Sequence, residues 1–161
     1  MKRICLLLAC VAFPWLAAGC NSTAPEAEKK ADSGEAAKHA HGEGPHGGTI
    51  TDWGGGAYHV EFTVDHDKKE ATVYILGGDE KTPAPIKAES IQLAIDDPMT
   101  ELELKAQPLD GEPEGSSSRF VGTHDTIGIV KEFSGTISGQ VEGTPYTGDF
   151  KEEPHGADHK H

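Results

Sequence analysis

Beyond residue 20 the chain has no cysteine: all three, Cys5, Cys10 and Cys20, fall in the first twenty of 161 residues. A body without thiols has no disulfide, no cysteine nucleophile and no thiolate to offer a metal. Cations are scarce too. Fourteen Lys and Arg stand against 27 Asp and Glu, a net charge of −13 at pH 7 with neutral histidines. A surface of that sign repels phosphates and attracts cations, so nucleic acid is excluded as a partner. Helical periodicity is missing as well, since no window offers ten amphipathic residues with caps. There is no Gly-x-Ser-x-Gly elbow, no phosphate-cradling glycine loop and no His-Glu-x-x-His, and Ser116, Ser117 and Ser118 have no base beside them in sequence. No catalytic residue, no enzyme activity and no organic cofactor are expected.

What is present begins with "MKRICLLLACVAFPWLAAGC": a basic start, an apolar stretch and small residues before Cys20. That is the layout of a secretory signal, too short and too interrupted by Pro14 to span a membrane. The ending "LAAGC" resembles a bacterial lipoprotein box, with Ala17 where leucine is usual. The resemblance implies that residues 1–19 are removed, that Cys20 is lipidated, and that the membrane is a partner through the lipid. Asn21 then implies an outer-membrane protein facing the periplasm. Two or three acyl chains, at about 0.8 kcal/mol per buried methylene, hold firmly where one is marginal. Loss of Lys2 and Arg3 would move the net charge to about −15.

Residues 21–44, "NSTAPEAEKKADSGEAAKHAHGEG", contain no large apolar side chain and cannot offset the entropy of ordering. With Cys20 they read as a tether, residues 20–44, reaching on the order of 25 to 30 Å. From residue 45 short alternating runs take over. "AYHVEFTVD" sends Tyr58, Val60, Phe62 and Val64 to one face and His59, Glu61, Thr63 and Asp65 to the other, with the period of a half-buried strand. "EATVYIL", "SIQLAID", "TELELKA", a short strand at Arg119–Val121, "TISGQVE" and "YTGDF" continue the pattern, separated by turns such as "HDKK", "DDPM" and "GTP". Seven or eight such strands over residues 45–150 predict an all-β domain: a single antiparallel immunoglobulin-like sandwich or small barrel. The polar loop over residues 108–118 is expected to be mobile, and residues 151–161 form a histidine-rich acidic tail.

The chemistry lies with the histidines. His59 and Glu61 project from one strand face, about 6.5 to 7 Å apart. The glycines of "GPHGGTITDWGGGAYHVEF" allow a tight reversal that would lay the strand following His46 beside them. "PHGGTI" followed by "YHVEF" resembles small periplasmic heavy-metal-associated domains, carried by adaptor subunits of metal efflux pumps and by stand-alone lipoproteins. The resemblance covers roughly residues 44–76 and implies a metal-linked envelope role with His46, His59 and Glu61 as functional positions. The hairpin and membrane-fusion regions of efflux adaptors are absent. Six of nine histidines lie in the flanks, His39, His41 and His46 before the first strand and His155, His159 and His161 after the last. Such tracts recruit divalent metal through neutral imidazoles.

The metal ligands expected are therefore His46, His59, Glu61, His155, His159 and His161. Imidazole with carboxylate, and only Met99 as a soft donor beyond residue 20, favours Zn(II) or Cu(II), then Ni(II) or Co(II), over Cu(I). The ligands must be deprotonated, so binding is expected to fade as pH falls through about 6.5, the reference imidazole value. His59-x-Glu61 also shares a spacing with zinc deaminases, but their Pro-Cys-x-x-Cys half is missing. "DHDKKE" lacks the glycine and spacing of a calcium loop. Two functions remain: a lipid-anchored envelope protein that binds or buffers divalent transition metal, and a metal-free structural module presented to another envelope protein.

Overall fold

The computed structural model describes residues 41–152. The expected signal peptide, Cys20, the expected tether as far as residue 40, and the tail histidines His155, His159 and His161 lie outside the described residues. The remainder is all-β. Strands β1 (Thr49–Trp53), β2 (Tyr58–Asp65), β3 (Glu70–Leu76), β4 (Ser90–Ile95), β5 (Thr100–Ala106), β6 (Arg119–Thr123), β7 (Ser134–Val141) and β8 (Thr144–Lys151) are joined by turns and one 3₁₀ turn, Asp125–Gly128. They form one sheet in the order β1-β2-β3-β6-β5-β4-β7-β8, with every neighbouring pair antiparallel.

The two ends of that order, β1 and β8, lie side by side. Thr51 Oγ1 donates to the Asp149 carbonyl at 2.7 Å. A Cβ on Gly148 would stand 2.7 Å from the Asp52 carbonyl, so only glycine permits the approach. The sheet is thus nearly closed into a barrel, the second of the two arrangements expected. Closure leaves few free edges and places one side of every strand in a shared interior.

Alternation builds that interior. Val60 and Phe62 of β2, Val73 and Ile75 of β3, Ile91, Leu93 and Ile95 of β4, and Leu104 of β5 are all 2 % exposed or less. Trp53 closes one end of the core, fully buried, with its indole N–H donating to the Ile137 carbonyl of β7 at 3.2 Å. The β1–β2 turn, Gly54–Ala57, runs through three glycines at φ +62°, +66° and +90°. That left-handed run is costly for residues carrying a Cβ and brings Trp53 opposite Tyr58.

The loop after β5 is not left loose. Glu112 accepts from the backbone N–H groups of Leu109 and Ser118 and from the Ser118 hydroxyl, and Ser116, Ser117 and Ser118 are buried. Both boundaries of the domain also extend past the expected 45–150. At the far end Glu152 is buried and pairs with Phe133 through backbone and side chain. At the near end residues 41–44, read as tether, lie on the barrel, with a bridge from Glu43 to Thr49. Among the described residues no helix is long and apolar enough to cross a membrane.

Candidate metal centre

His59 and Glu61 do project from the same outer face of β2, but that face is not wet. His59 is 5 % exposed and Glu61 is fully buried. The register explains what flanks them. His59 lies between Asp52 of β1 and Leu76 of β3, and Glu61 between Ile50 and Tyr74. Two segments cover the row: the strap of residues 41–48, and the loop of residues 77–82 that follows β3.

Glu61 gathers the Pro-His-Gly-Gly turn. Its Oε1 accepts the backbone N–H groups of His46 at 2.7 Å and Gly48 at 2.9 Å, and its Oε2 lies 2.7 Å from His46 Nδ1. The His46 ring stacks on Tyr74, centroids 3.6 Å apart and 6° from parallel. The second glycine is required by contact, since a Cβ on Gly48 would lie 2.2 Å from the Phe62 carbonyl. The structure therefore brings His46 to Glu61 and leaves His59 with other partners.

Those partners are His41, Asp52 and Glu80. His41, Asp52 and His59 each offer a ligand atom within 4.8 Å of the other two. His41 Nε2 lies 3.2 Å from Asp52 Oδ2, and His59 Nε2 lies 3.0 Å from Asp52 Oδ1. Glu80 Oε1 is 3.0 Å from His41 Nδ1 and 3.5 Å from His59 Nε2. The two imidazoles meet edge to face, centroids 5.3 Å apart. Side-chain exposures of 10 % for His41, 20 % for Asp52 and 6 % for His59 leave the cluster open to solvent mainly through the carboxylate.

The hydrogen-bond partners assign the protons. His59 Nδ1 lies 3.0 Å from the Gly77 carbonyl, which can only accept, so this nitrogen carries the proton. His41 Nδ1 faces the Glu80 carboxylate, again an acceptor. A neutral ring with its proton on Nδ1 presents a lone pair at Nε2. Here two such lone pairs aim at the two oxygens of one carboxylate. The arrangement needs positive charge, either further protons on the rings or one divalent cation. A tetrahedral ion with bonds of about 2.0 to 2.1 Å sets its ligand atoms about 3.3 Å apart. The observed spacings of 3.0 and 3.2 Å, to the two different oxygens of Asp52, are hydrogen-bond distances that also lie close to that edge, and the three ligand atoms fall within 4.8 Å of one another. Backbone and carboxylate acceptors on the remote ring nitrogens are the usual outer support of metal-bound histidines.

Both supports come from one loop. Gly77 N–H donates to the Thr82 carbonyl at 2.8 Å and Glu80 N–H to the Gly77 carbonyl at 3.0 Å, with Glu80 held at φ +59°. Asp79 ties the loop by accepting from Thr82 Oγ1 at 2.6 Å, Thr82 N–H at 2.9 Å and Lys81 N–H at 3.1 Å. These donors, the Thr82 hydroxyl first, hold its carboxyl down at about 2, against an ordinary value of 3.8.

No protein-family model matches the chain, and no curated protein or solved structure does. Sequence reasoning found His59 but missed Asp52 and Glu80, and it counted His41 only as part of a flexible tract. Asp52 had a signal: in "TDWGGGAYH" a four-residue turn after Trp53 pairs Trp53 with Tyr58 and hence Asp52 with His59. His41 and Glu80 had none, because each arrives through a loop whose path depends on tertiary contacts.

Proposed function

We propose that this chain is a lipid-anchored protein of the bacterial cell envelope that binds or buffers a divalent transition metal ion at His41, Asp52 and His59. The observation that carries the reading is the convergence of two Nε2 atoms on one carboxylate, each ring fixed by an acceptor on its far nitrogen. Two imidazole nitrogens with carboxylate oxygen, and no sulfur, suit Zn(II) first and Cu(II) second. The surplus of 27 acidic over 14 basic side chains raises the local concentration of cations. The lipid anchor and the envelope location rest on the lipoprotein-box resemblance. The tail histidines His155, His159 and His161 would add a second chelating tract. No catalytic role is proposed for any residue.

Elemental analysis tests the reading. The protein is equilibrated with zinc or copper and dialysed, as wild type and with His155, His159 and His161 replaced by alanine. One equivalent retained without the tail histidines, and lost in His41→Ala and in His59→Ala, is the expected result. Metal that disappears with the tail histidines alone would reduce the function to a histidine-rich chelating tract. No stoichiometric metal in any form would leave a protonated His–Asp network in a metal-free interaction module.

A further inference from the structure

The cluster has one ligand from outside the barrel. Asp52 and His59 sit on paired strands whose register fixes them opposite each other. His41 precedes β1 by eight residues and reaches them only because the strap of residues 41–48 lies flat on the outer face. Among the described residues the strap's backbone contacts are the bridge from Glu43 to Thr49, Gly44 N–H to the Gly48 carbonyl at 2.9 Å, and Gly47 N–H to the Gly44 carbonyl at 3.0 Å. What ties it to β2 is Glu61. The fully buried carboxylate accepts two strap amides and faces the His46 ring nitrogen, while Tyr74 of β3 supports the other face of the turn. The fit is close enough that a Cβ on Gly44 would stand 2.4 Å from Glu61 Cδ.

We infer that Glu61 is the positioning residue of the metal centre: it clasps the strap to the barrel, and the clasped strap delivers His41 to Asp52 and His59. Glu61 and His46 then contribute no atom to the ion, although the family resemblance marks them as functional. They convert a two-ligand site on the barrel into a three-ligand site. An unclasped strap leaves Asp52 and His59 as a weak pair, so the clasp sets both the affinity and the ease with which the ion is surrendered. This inference rests on the proposed reading of His41, Asp52 and His59 as ligands, and the test separates the two.

The variants are E61M, which keeps an unbranched side chain and removes every acceptor, and G44A, which lifts the strap without altering the barrel. Each is made in the full chain with His39, His155, His159 and His161 replaced by alanine, and is titrated with zinc against a competing chelator. Changes to groups that orient ligands lower metal affinity by about 10- to 100-fold. E61M and G44A are each expected to weaken zinc binding by at least about tenfold. Adding His41→Ala to E61M should bring no loss beyond that of His41→Ala alone, since the clasp acts only through His41. Zinc affinity unchanged in both E61M and G44A, or losses that multiply in the double variant, would overturn the inference. Amide exchange without metal is the independent arm. The His46 and Gly48 amides should exchange faster in both variants while core amides of β3 and β4 stay protected. If the parent chain takes up no zinc, the reading of the ligands fails by itself, and unchanged exchange at His46 and Gly48 would sink the clasp.

Discussion

A neutral imidazole has one proton, and where that proton sits decides what the ring can do. In His59 the Gly77 carbonyl claims it, and in His41 the Glu80 carboxylate does. Both Nε2 atoms are thereby offered to Asp52, and this geometry is what the proposed site rests on. Asp79 works at one remove, since its turn carries both acceptors. Its carboxyl is held down to about 2 by donors that vanish on unfolding, where the value returns to 3.8. The stabilisation is therefore full above 3.8 and disappears as pH falls towards 2. Carboxyl-carbon NMR of Asp79 is expected to titrate near 2, and a midpoint at or above 3.8 would mean the turn is not formed. Asp79→Ala at neutral pH should loosen Glu80, weaken zinc binding and remove the small stabilisation that the turn's hydrogen bonds give, while the barrel stays folded.

At the scale of elements, the β1–β2 hairpin and its two covers make the site. Alternation along β2 was legible in the sequence, and so were the inward positions of β3, β4 and β5, because period two is a local property of the chain. The identity of the outer face was not. Period two leaves His59 and Glu61 on the face away from the core, and nothing local announces a strap and a loop folding over them. Residues 41–44 carry no large apolar side chain, and the turn that follows them is held by hydrogen bonds from His46 and Gly48 to Glu61, fifteen and thirteen positions further on. The polar loop over 108–118 likewise carries an internal anchor, Glu112, that its composition does not announce. Turn chemistry offers a check at this scale. The two-residue β7–β8 turn places Glu142 at φ +51° and Gly143 at φ +81°, the conformation favoured by Asn-Gly. Glu142→Asn is expected to stabilise the domain by about 0.5 to 1 kcal/mol, read as a higher urea midpoint at unchanged slope.

At the scale of the whole molecule, a nearly closed barrel gives the site a rigid floor. The interior is packed by side chains, so the chemistry has only the outside of the sheet and the connecting segments to use. Closure depends on contacts between elements distant in sequence: Thr51 to Asp149, and Trp53 to Ile137. Trp53 is fully buried beside the turn that sets Asp52 opposite His59. Trp53→Ala is expected to cost about 3 to 5 kcal/mol in urea denaturation, whereas Trp53→Phe, which keeps a ring but loses the N–H, should cost about 1 to 3 kcal/mol. The overall acidity was legible from composition alone, and a surface of that sign attracts cations and repels polyanions.

The central claim is that His41 and His59, and not His46, hold the ion. Long-range proton–nitrogen NMR of the histidine side chains, before and after one equivalent of zinc, addresses it atom by atom in the chain lacking the tail histidines. The account predicts metal-bound Nε2 and retained Nδ1–H for His41 and His59, with the His46 ring unchanged against Glu61. A spectrum in which zinc moves none of these rings, or moves His46 in place of His41, would contradict it.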